Sequence, residues 1–335
     1  MPISPNLMKS TDRLRILLAE KSSFSQTGID ALAKLGALDA LDLSQEALAS
    51  RIGEYDVLVL RLGLRVSDAV LRAGKALKAV VTPTTGTDHI DLDVLRERGI
   101  TLFCLKGERS FLDRVYATAE HTFGLLLAIV RKTPFAFDSV KSYQWRRDIY
   151  RGRELDGKTL GIVGCGRLGT MVVRYARAFG MRVLVFDPYQ TNLPAEIDRV
   201  STLDELLEES DIVSLHVPLN DETTGMIGEE AFSKMKPGGY LVNTSRGAVV
   251  DENALIAALE SGRLSGAAMD VVCDEHTIET ERSHPLIDYA KTHENLIITP
   301  HIAGATVESV EKADLFVIQK LARWLEKNHF PVSGN

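Results

Sequence analysis

Cysteine is scarce in this 335-residue chain. Cys104, Cys165 and Cys273 are odd in number and share neither disulfide-framework nor zinc-ligand spacing, which suits a reducing compartment, with the cytoplasm as the expected location. Long apolar runs are also missing. The best of them, residues 123–130, is far short of a bilayer span and reads as a buried helix, and residues 1–9 lack the apolar core of a signal peptide. Nor is there an excess of positive charge: a formal net charge of -7, with scattered basic residues, argues against nucleic acid or an anionic membrane as partner. Any anion must therefore be held by a local site. No internal repeat or low-complexity segment is evident, and 45% hydrophobic with 25% charged residues is an ordinary globular composition, long enough for about two domains.

What the chain does have is a glycine loop in context. An apolar strand at 159–163 runs into Gly164-x-Gly166-x-x-Gly169, a helix pattern follows (Leu168, Val172, Val173, Ala176, Phe179), and Gly180 ends it. Asp187 closes the next apolar run, with 17 residues between it and Gly169. In such a motif Gly164 makes the tight turn, Gly166 lets backbone approach a pyrophosphate, and Gly169 allows close helix–strand packing. The helix start, with Arg167 and Leu168, offers N–H groups to the phosphates. An acid at the end of the second strand accepts ribose hydroxyls and repels a 2′-phosphate, so the expected cofactor is NAD.

Two βα series flank this motif. Strands are predicted at 14–19, 57–60, 77–81 and 100–104 with helices near 27–35, 67–73 and 91–98, then a long apolar helix over 117–132, ended before Pro134. The second series has strands at 158–163, 182–186, 211–216, 239–243, 266–270 and 296–299, with helices at 167–179, 203–209, 229–234 and 251–261. A final helix near 306–327 has Val307, Val310, Ala313, Phe316, Val317, Lys320 and Leu321 at helical spacing. The expected fold is α/β with two doubly wound parallel sheets. A Rossmann NAD-binding domain (117–302) is inserted into a flavodoxin-like substrate domain (1–116 and 303–335), with a cleft at the two crossings.

Hydride chemistry needs groups that fix a carboxylate or carbonyl and move a proton, placed where strands end. Arg246, Glu275 and His301 follow three such strands. The segments around them resemble the D-isomer-specific 2-hydroxyacid dehydrogenase family over nearly the whole chain: Val217-Pro-Leu-Asn-Asp-Glu-Thr-Thr, Asn243-Thr-Ser-Arg-Gly, Ala268-Met-Asp-Val and Thr299-Pro-His-Ile-Ala-Gly-Ala-Thr306. The resemblance implies an NAD-dependent oxidoreductase with Arg246, Glu275 and His301 as the catalytic set. Arg246 offers a planar fork of donors to a carboxylate and the adjacent carbonyl. His301 is the general acid in reduction and the base in the reverse direction, oriented by Glu275. Asp274 and Glu279 are rivals for that partner role, because His276 stands where the family usually has proline.

The same resemblance extends the cofactor set to His216, Pro218, Thr223, Thr244, Ser245, Asp270, His301 and Gly304. For His216 a structural role is an equal alternative, and for Asp270 a turn cap. His121 reads as packed within its helix, and His89, His284, His293 and His329 as exposed. Cys273 reads as a small filler with some oxidation sensitivity.

For substrate, Thr85 and Gly86 lie in a loop resembling the family's carboxylate-binding turn. Arg61 resembles the position at which phosphoglycerate dehydrogenases hold a distal phosphate, its alternative being a solvated arginine. Thr82 and the charged segment 106–116 depart from those enzymes, and Lys106, Arg109 and Arg114 are substitutes for the lost anion contact or simply solvated. With the chain ending at 335, no serine-sensing regulatory domain is expected. The substrate is then a small 2-oxo or 2-hydroxy acid, with 3-phosphoglycerate and phosphohydroxypyruvate among the candidates, and a homodimer is expected through the nucleotide domain, around Trp145. A different class of function, an NAD-sensing interaction protein resembling the C-terminal-binding corepressors, stands as the alternative.

Overall fold

A computed structural model describes residues 13–190 and 197–330. The N-terminal stretch read for a signal peptide, residues 1–9, lies outside the described residues. The chain forms two compact units, one from residues 1–114 with 306–335 and the other from 115–305.

The first unit is built on β1 (Arg15–Leu18), α1 (Gln26–Leu35), β2 (Ala37–Ala40), α2 (Gln45–Arg51), β3 (Val57–Val59), α3 (Asp68–Ala73), β4 (Ala79–Val81), α4 (Leu92–Glu97), β5 (Thr101–Phe103) and α5 (Arg109–Leu112). Its five strands are parallel in the order β2-β1-β3-β4-β5. Residues of β3 and β4 are buried throughout, as strands covered by helices on both faces must be. One face packs on α1 and the last helix, Val307–Lys327, through Leu32, Ala313, Val317, Ile318 and Leu321. The other packs on α2, α3 and α4 through Leu48, Ile52, Leu71 and Leu95.

Two elements here escape the sequence pattern. β2, Ala-Leu-Asp-Ala, is an edge strand with no fully buried residue, and α2 buries only Leu48, so neither carries a strong apolar period. Val307 was expected on the apolar stripe of the last helix, but it is 81% exposed in the first turn.

The second unit opens with α6 (Ala117–Val130) and α7 (Thr133–Lys141). The long helix ends two residues early because Lys132 turns left-handed (φ 54°), and Pro134 then starts α7 rather than only stopping α6. A first-turn N–H has no helical partner, so proline costs nothing there. The sheet follows with β6 (Thr159–Val163), α8 (Arg167–Ala178), β7 (Arg182–Phe186), β8 (Asp198–Arg199), α9 (Leu203–Glu209), β9 (Ile212–Leu215), α10 (Glu229–Lys234), β10 (Gly239–Asn243), α11 (Glu252–Glu260), β11 (Leu264–Met269), α12 (Ile278–Glu281), α13 (Pro285–Ala290) and β12 (Leu296–Ile298). The order β12-β11-β10-β9-β6-β7-β8 is parallel throughout. Six strands were expected; the seventh, β8, is a two-residue exposed edge. α6 is indeed buried, its Phe123, Leu126 and Ile129 sharing a core with Leu160, Ile162 and Val172. The order reverses between β6 and β9, where an open α/β sheet holds its ligand.

Candidate cofactor and catalytic site

The glycine loop leaves β6 with Gly164 at φ 87°, a conformation open to glycine, where an added Cβ would also meet the His216 carbonyl at 2.9 Å. At Gly169 a Cβ would lie 2.3 Å from the Gly164 carbonyl oxygen, so α8 sits against the loop as closely as backbone permits. Gly166 is different: no protein atom lies within 4 Å of its Cβ position, and it N-caps α8 with no side-chain cap. The start of α8 is thus uncrowded at Gly166, which leaves room there for a pyrophosphate. Leu168 is partly buried against the core, and Arg167 donates through Nη1 to the Val115 carbonyl at 2.8 Å.

Asp187 directly follows β7, beside a cavity of about 340 Å³ lined by Phe186, Asp187, Pro188, Arg199, Val200 and Ser201. Its carboxylate already accepts from Cys165 N at 2.8 Å, tying the glycine loop to the next strand, and from Tyr189 N at 2.9 Å and Gln190 N at 3.0 Å. At the end of β9, His216 shares a 2.9 Å hydrogen bond between Nε2 and Ser214 Oγ, while its buried Nδ1 has no partner among the described residues. Burial pushes its pKa down to about 4, so the ring is neutral near pH 7. Pro218 begins a turn that Thr223 closes, donating through Oγ1 to the Pro218 carbonyl at 2.6 Å.

At the end of β10, Asn243 was quoted in the motif without a role, and the structure supplies one. Its buried side chain accepts from Ser245 N (2.9 Å) and Ser245 Oγ (2.8 Å) and donates to the Arg246 carbonyl (2.9 Å). Gly247 is pressed against β11's end, where a Cβ would fall 2.0 Å from the Val272 carbonyl carbon. Thr244 Oγ1 is 2.7 Å from Thr122 Oγ1 on α6, so the Thr244 and Ser245 hydroxyls are turned into the fold, and only their backbone remains for a ligand. Arg246, half-buried, donates through Nη1 to the Ser245 carbonyl at 2.7 Å.

Beyond β11 and β12 the remaining candidates meet. His301 Nδ1 lies 2.6 Å from Glu275 Oε1; of the three acids weighed for this role, Glu275 is the one at the ring. His301 is left-handed (φ 53°), a conformation that costs a β-carbon residue about 1–3 kcal/mol unless its surroundings impose it. Asp270 imposes it. Its side chain is wholly buried and accepts from Thr299 Oγ1 (2.5 Å), Ile302 N (2.9 Å) and Ala303 N (2.8 Å), while its carbonyl accepts from His301 N (2.8 Å). Burial alone raises its pKa, but these bonds and that from His121 outweigh it and hold the carboxyl below its ordinary value. The turn-cap alternative is therefore the one its geometry favours. Gly304 beside it is open, with Thr118 Oγ1 at 3.8 Å from its Cβ position.

Three histidines differ from expectation, His89 being half-buried rather than exposed. His121 is not merely packed: its Nε2 is 3.1 Å from Thr299 Oγ1 and 3.3 Å from Asp270 Oδ1, a contact invisible in a helix pattern because it spans 178 residues. His284 is buried rather than exposed, with Nε2 at 3.1 Å from the Cys273 carbonyl and 3.3 Å from Glu252. Burial and the neighbouring Glu252 push the Cys273 thiol up to about 12, which keeps it protonated near pH 7.

In the first unit, Thr84 Oγ1 donates to the Gly86 carbonyl at 2.7 Å and leaves Thr85 exposed. Arg61 is not the solvated arginine of the alternative reading: Nη2 is 2.5 Å from Asp314 of the last helix. Lys106 is exposed, whereas Arg109 pairs with Asp113 at 3.0 Å.

Residues 123–303 match the model of the D-isomer specific 2-hydroxyacid dehydrogenase, NAD binding domain. This chain belongs to that family. Its second unit is the family's NAD-binding domain, and the fold is that of its solved members. The chain is 37% identical over 301 residues to D-3-phosphoglycerate dehydrogenase of Bacillus subtilis (88% of this chain, 54% of that protein). It is 36% identical over 287 residues to hydroxypyruvate reductase of Thermotoga maritima (84% and 89%). A D-lactate dehydrogenase from Aquifex aeolicus, solved with NAD and lactic acid, superposes with a TM-score of 0.78 at 32% identity, covering 96% of this chain and 99% of that one. The chain spans about half the length of the phosphoglycerate dehydrogenases it matches.

Proposed function

We propose that this protein interconverts a 2-oxo acid and a D-2-hydroxy acid at the expense of NAD(H), the second unit holding the dinucleotide and the first the substrate. The observation that carries the reading is the 2.6 Å contact between His301 Nδ1 and Glu275, which leaves Nε2 to face the reacting oxygen. Bound NADH supplies the hydride. As it arrives, His301 Nε2 gives a proton to the substrate oxygen, and in oxidation it takes one back. Glu275 fixes the orientation of the ring. Arg246 binds the carboxylate and polarises the carbonyl.

For the cofactor, the α8 N-terminus with Gly164, Gly166, Arg167, Leu168 and Gly169 cradles the pyrophosphate, and Asp187 selects against a 2′-phosphate. His216, Pro218 and Thr223 border the adenosine side, and the backbone of Thr244, Ser245 and Gly304 the nicotinamide side. Asp270 acts through the turn it staples. Thr85, Gly86 and Lys106 are offered to the substrate by the first unit. Relatives named for phosphoglycerate, hydroxypyruvate and lactate delimit the candidate substrates.

Purified protein should oxidise NADH with at least one of glyoxylate, hydroxypyruvate and phosphohydroxypyruvate, well above an Arg246→Ala control. No turnover, with NADH-dependent capture of a protein partner, would instead favour an interaction protein. A homodimer is proposed through the exposed apolar residues Phe137, Tyr143, Trp145 and Ile149 of the second unit. Light scattering of a Trp145→Glu variant tests it, since a mass unchanged from wild type counts against that surface.

A further inference from the structure

The first unit has a topological switch point of its own. In the order β2-β1-β3-β4-β5 the chain leaves β1 towards one edge and returns at β3 towards the other, with α1 on one face and α2 to α4 on the opposite one. Such a switch point opens a crevice at the carboxyl ends of the two strands. The residues found there are Glu20, just past β1, and Arg61, just past β3.

Their partners determine what the crevice accepts. Glu20 takes the amides that would otherwise serve an anion, accepting from Arg61 N at 2.6 Å and Gly63 N at 2.8 Å. The Arg61 guanidinium, over the Phe24 ring at 5.0 Å, is paired through Nη2 with Asp314 at 2.5 Å. Asp314 is fully buried and locked by Ser25, whose N and Oγ both donate to it at 2.8 Å. The guanidinium is therefore paired with one carboxylate, and the Glu20 carboxylate, held on the Arg61 backbone N–H, adds to the negative charge nearby. Arg61 Nε is buried and without a hydrogen-bond partner among the described residues. A buried donor left unmatched calls for an acceptor, and beside two carboxylates a neutral oxygen meets that need without charge repulsion.

We propose that the Arg61–Asp314 pair is a specificity determinant that admits a 2-oxo acid with an uncharged oxygen-bearing tail, such as a terminal hydroxyl, and rejects its phosphate ester. The proposal rests on the dehydrogenase reading given above, and it reverses the phosphate-binding role expected for Arg61 from the sequence. Asp314 acts through Arg61: it is a positioning and neutralising residue, not a catalytic one.

The test is the ratio of kcat/KM for hydroxypyruvate to that for phosphohydroxypyruvate, measured with NADH. Wild-type protein should favour hydroxypyruvate at least tenfold, and Asp314→Asn, checked for folding by its melting temperature, should move the ratio at least tenfold towards the ester by freeing the guanidinium. A wild-type preference for the ester overturns the proposal, even if Asp314→Asn does not fold. A folded Asp314→Asn variant with an unmoved ratio also overturns it. Absence of NADH oxidation with every 2-oxo acid would be a failure of the dehydrogenase reading itself, and is distinguished by that breadth.

Discussion

His301 Nδ1 lies 2.6 Å from Glu275 Oε1, which accepts the ring N–H, although the two are 26 positions apart in the chain. A ring held by one nitrogen presents the other in a fixed direction. The left-handed backbone of His301, stapled by Asp270, sets the point from which that ring projects. Glu275→Gln keeps the size of the side chain but removes its charge. Turnover is expected to fall about 10- to 1000-fold, within the range attributable to acid–base catalysis, with NADH affinity within about twofold. Stopped-flow reduction and fluorescence titration of NADH measure the two separately; equal losses in both would point to a disturbed fold.

Arg246→Lys preserves the charge and loses the fork. Because a single ammonium does not bridge a carboxylate and a carbonyl oxygen in one plane, kcat/KM for any 2-oxo acid substrate should drop about 100-fold, the loss of about 2.7 kcal/mol of transition-state stabilisation. Retention of wild-type kcat/KM by the lysine variant would remove the bidentate role.

The glycine loop separates packing from binding. A methyl at Gly169 meets the Gly164 carbonyl oxygen at 2.3 Å, so Gly169→Ala should cost about 1–3 kcal/mol of stability by overpacking. At Gly166 the protein leaves room, and its φ of -71° suits alanine. Gly166→Ala should therefore melt like wild type and bind NADH at least tenfold more weakly. Calorimetry and NADH titration on the pair decide it, and a Gly166 variant with undiminished NADH binding contradicts the pyrophosphate role.

Asp187 carries two duties, so its replacement should show both. Asp187→Ala removes the acceptor for Cys165 N, which loosens the loop for either dinucleotide, and removes the charge that opposes a 2′-phosphate. The NADH-to-NADPH preference in kcat/KM should fall at least tenfold while kcat/KM for NADH itself declines. An unaltered preference would assign Asp187 to loop geometry alone.

His216 makes stability depend on pH. Its folded pKa of about 4 lies below the ordinary 6.5 because burial disfavours the charged ring. The unfolded chain thus binds the proton first on acidification, and the full contribution is present above pH 6.5 and lost as pH falls towards 4. At the low end the difference amounts to at most about 3 kcal/mol. Denaturation midpoints between pH 7 and 4.5 should decline less steeply for His216→Gln than for wild type; parallel curves would show that His216 is not the group responsible.

The βα alternation and the glycine motif are written locally, in apolar runs and in residues whose backbone freedom is required where they stand. For that reason β6, α8, β7, the acid at 187 and the strand ends bearing Arg246 and His301 are legible along the chain. β2, β8 and α2 are not, because edge strands and short half-exposed helices bury too little to impose a period. Side-chain partners across the fold are less legible still. Nothing local says that His121 reaches Thr299, that Thr244 turns its hydroxyl to Thr122, or that Asp314 neutralises Arg61.

Sequence by itself determined the family, the parallel α/β architecture and the residue types available for hydride chemistry, since these depend on spacing and side-chain identity. Tertiary structure decided which of those groups are free to act. It brought Glu275 rather than Asp274 or Glu279 to His301, turned Asp270 into a buried staple, and paired Arg61 with a carboxylate 253 residues away. The physical reason is that hydrogen bonds and ion pairs act over about 3 Å in space, a distance that depends on how strands and helices are stacked and not on how far apart two residues lie in the chain.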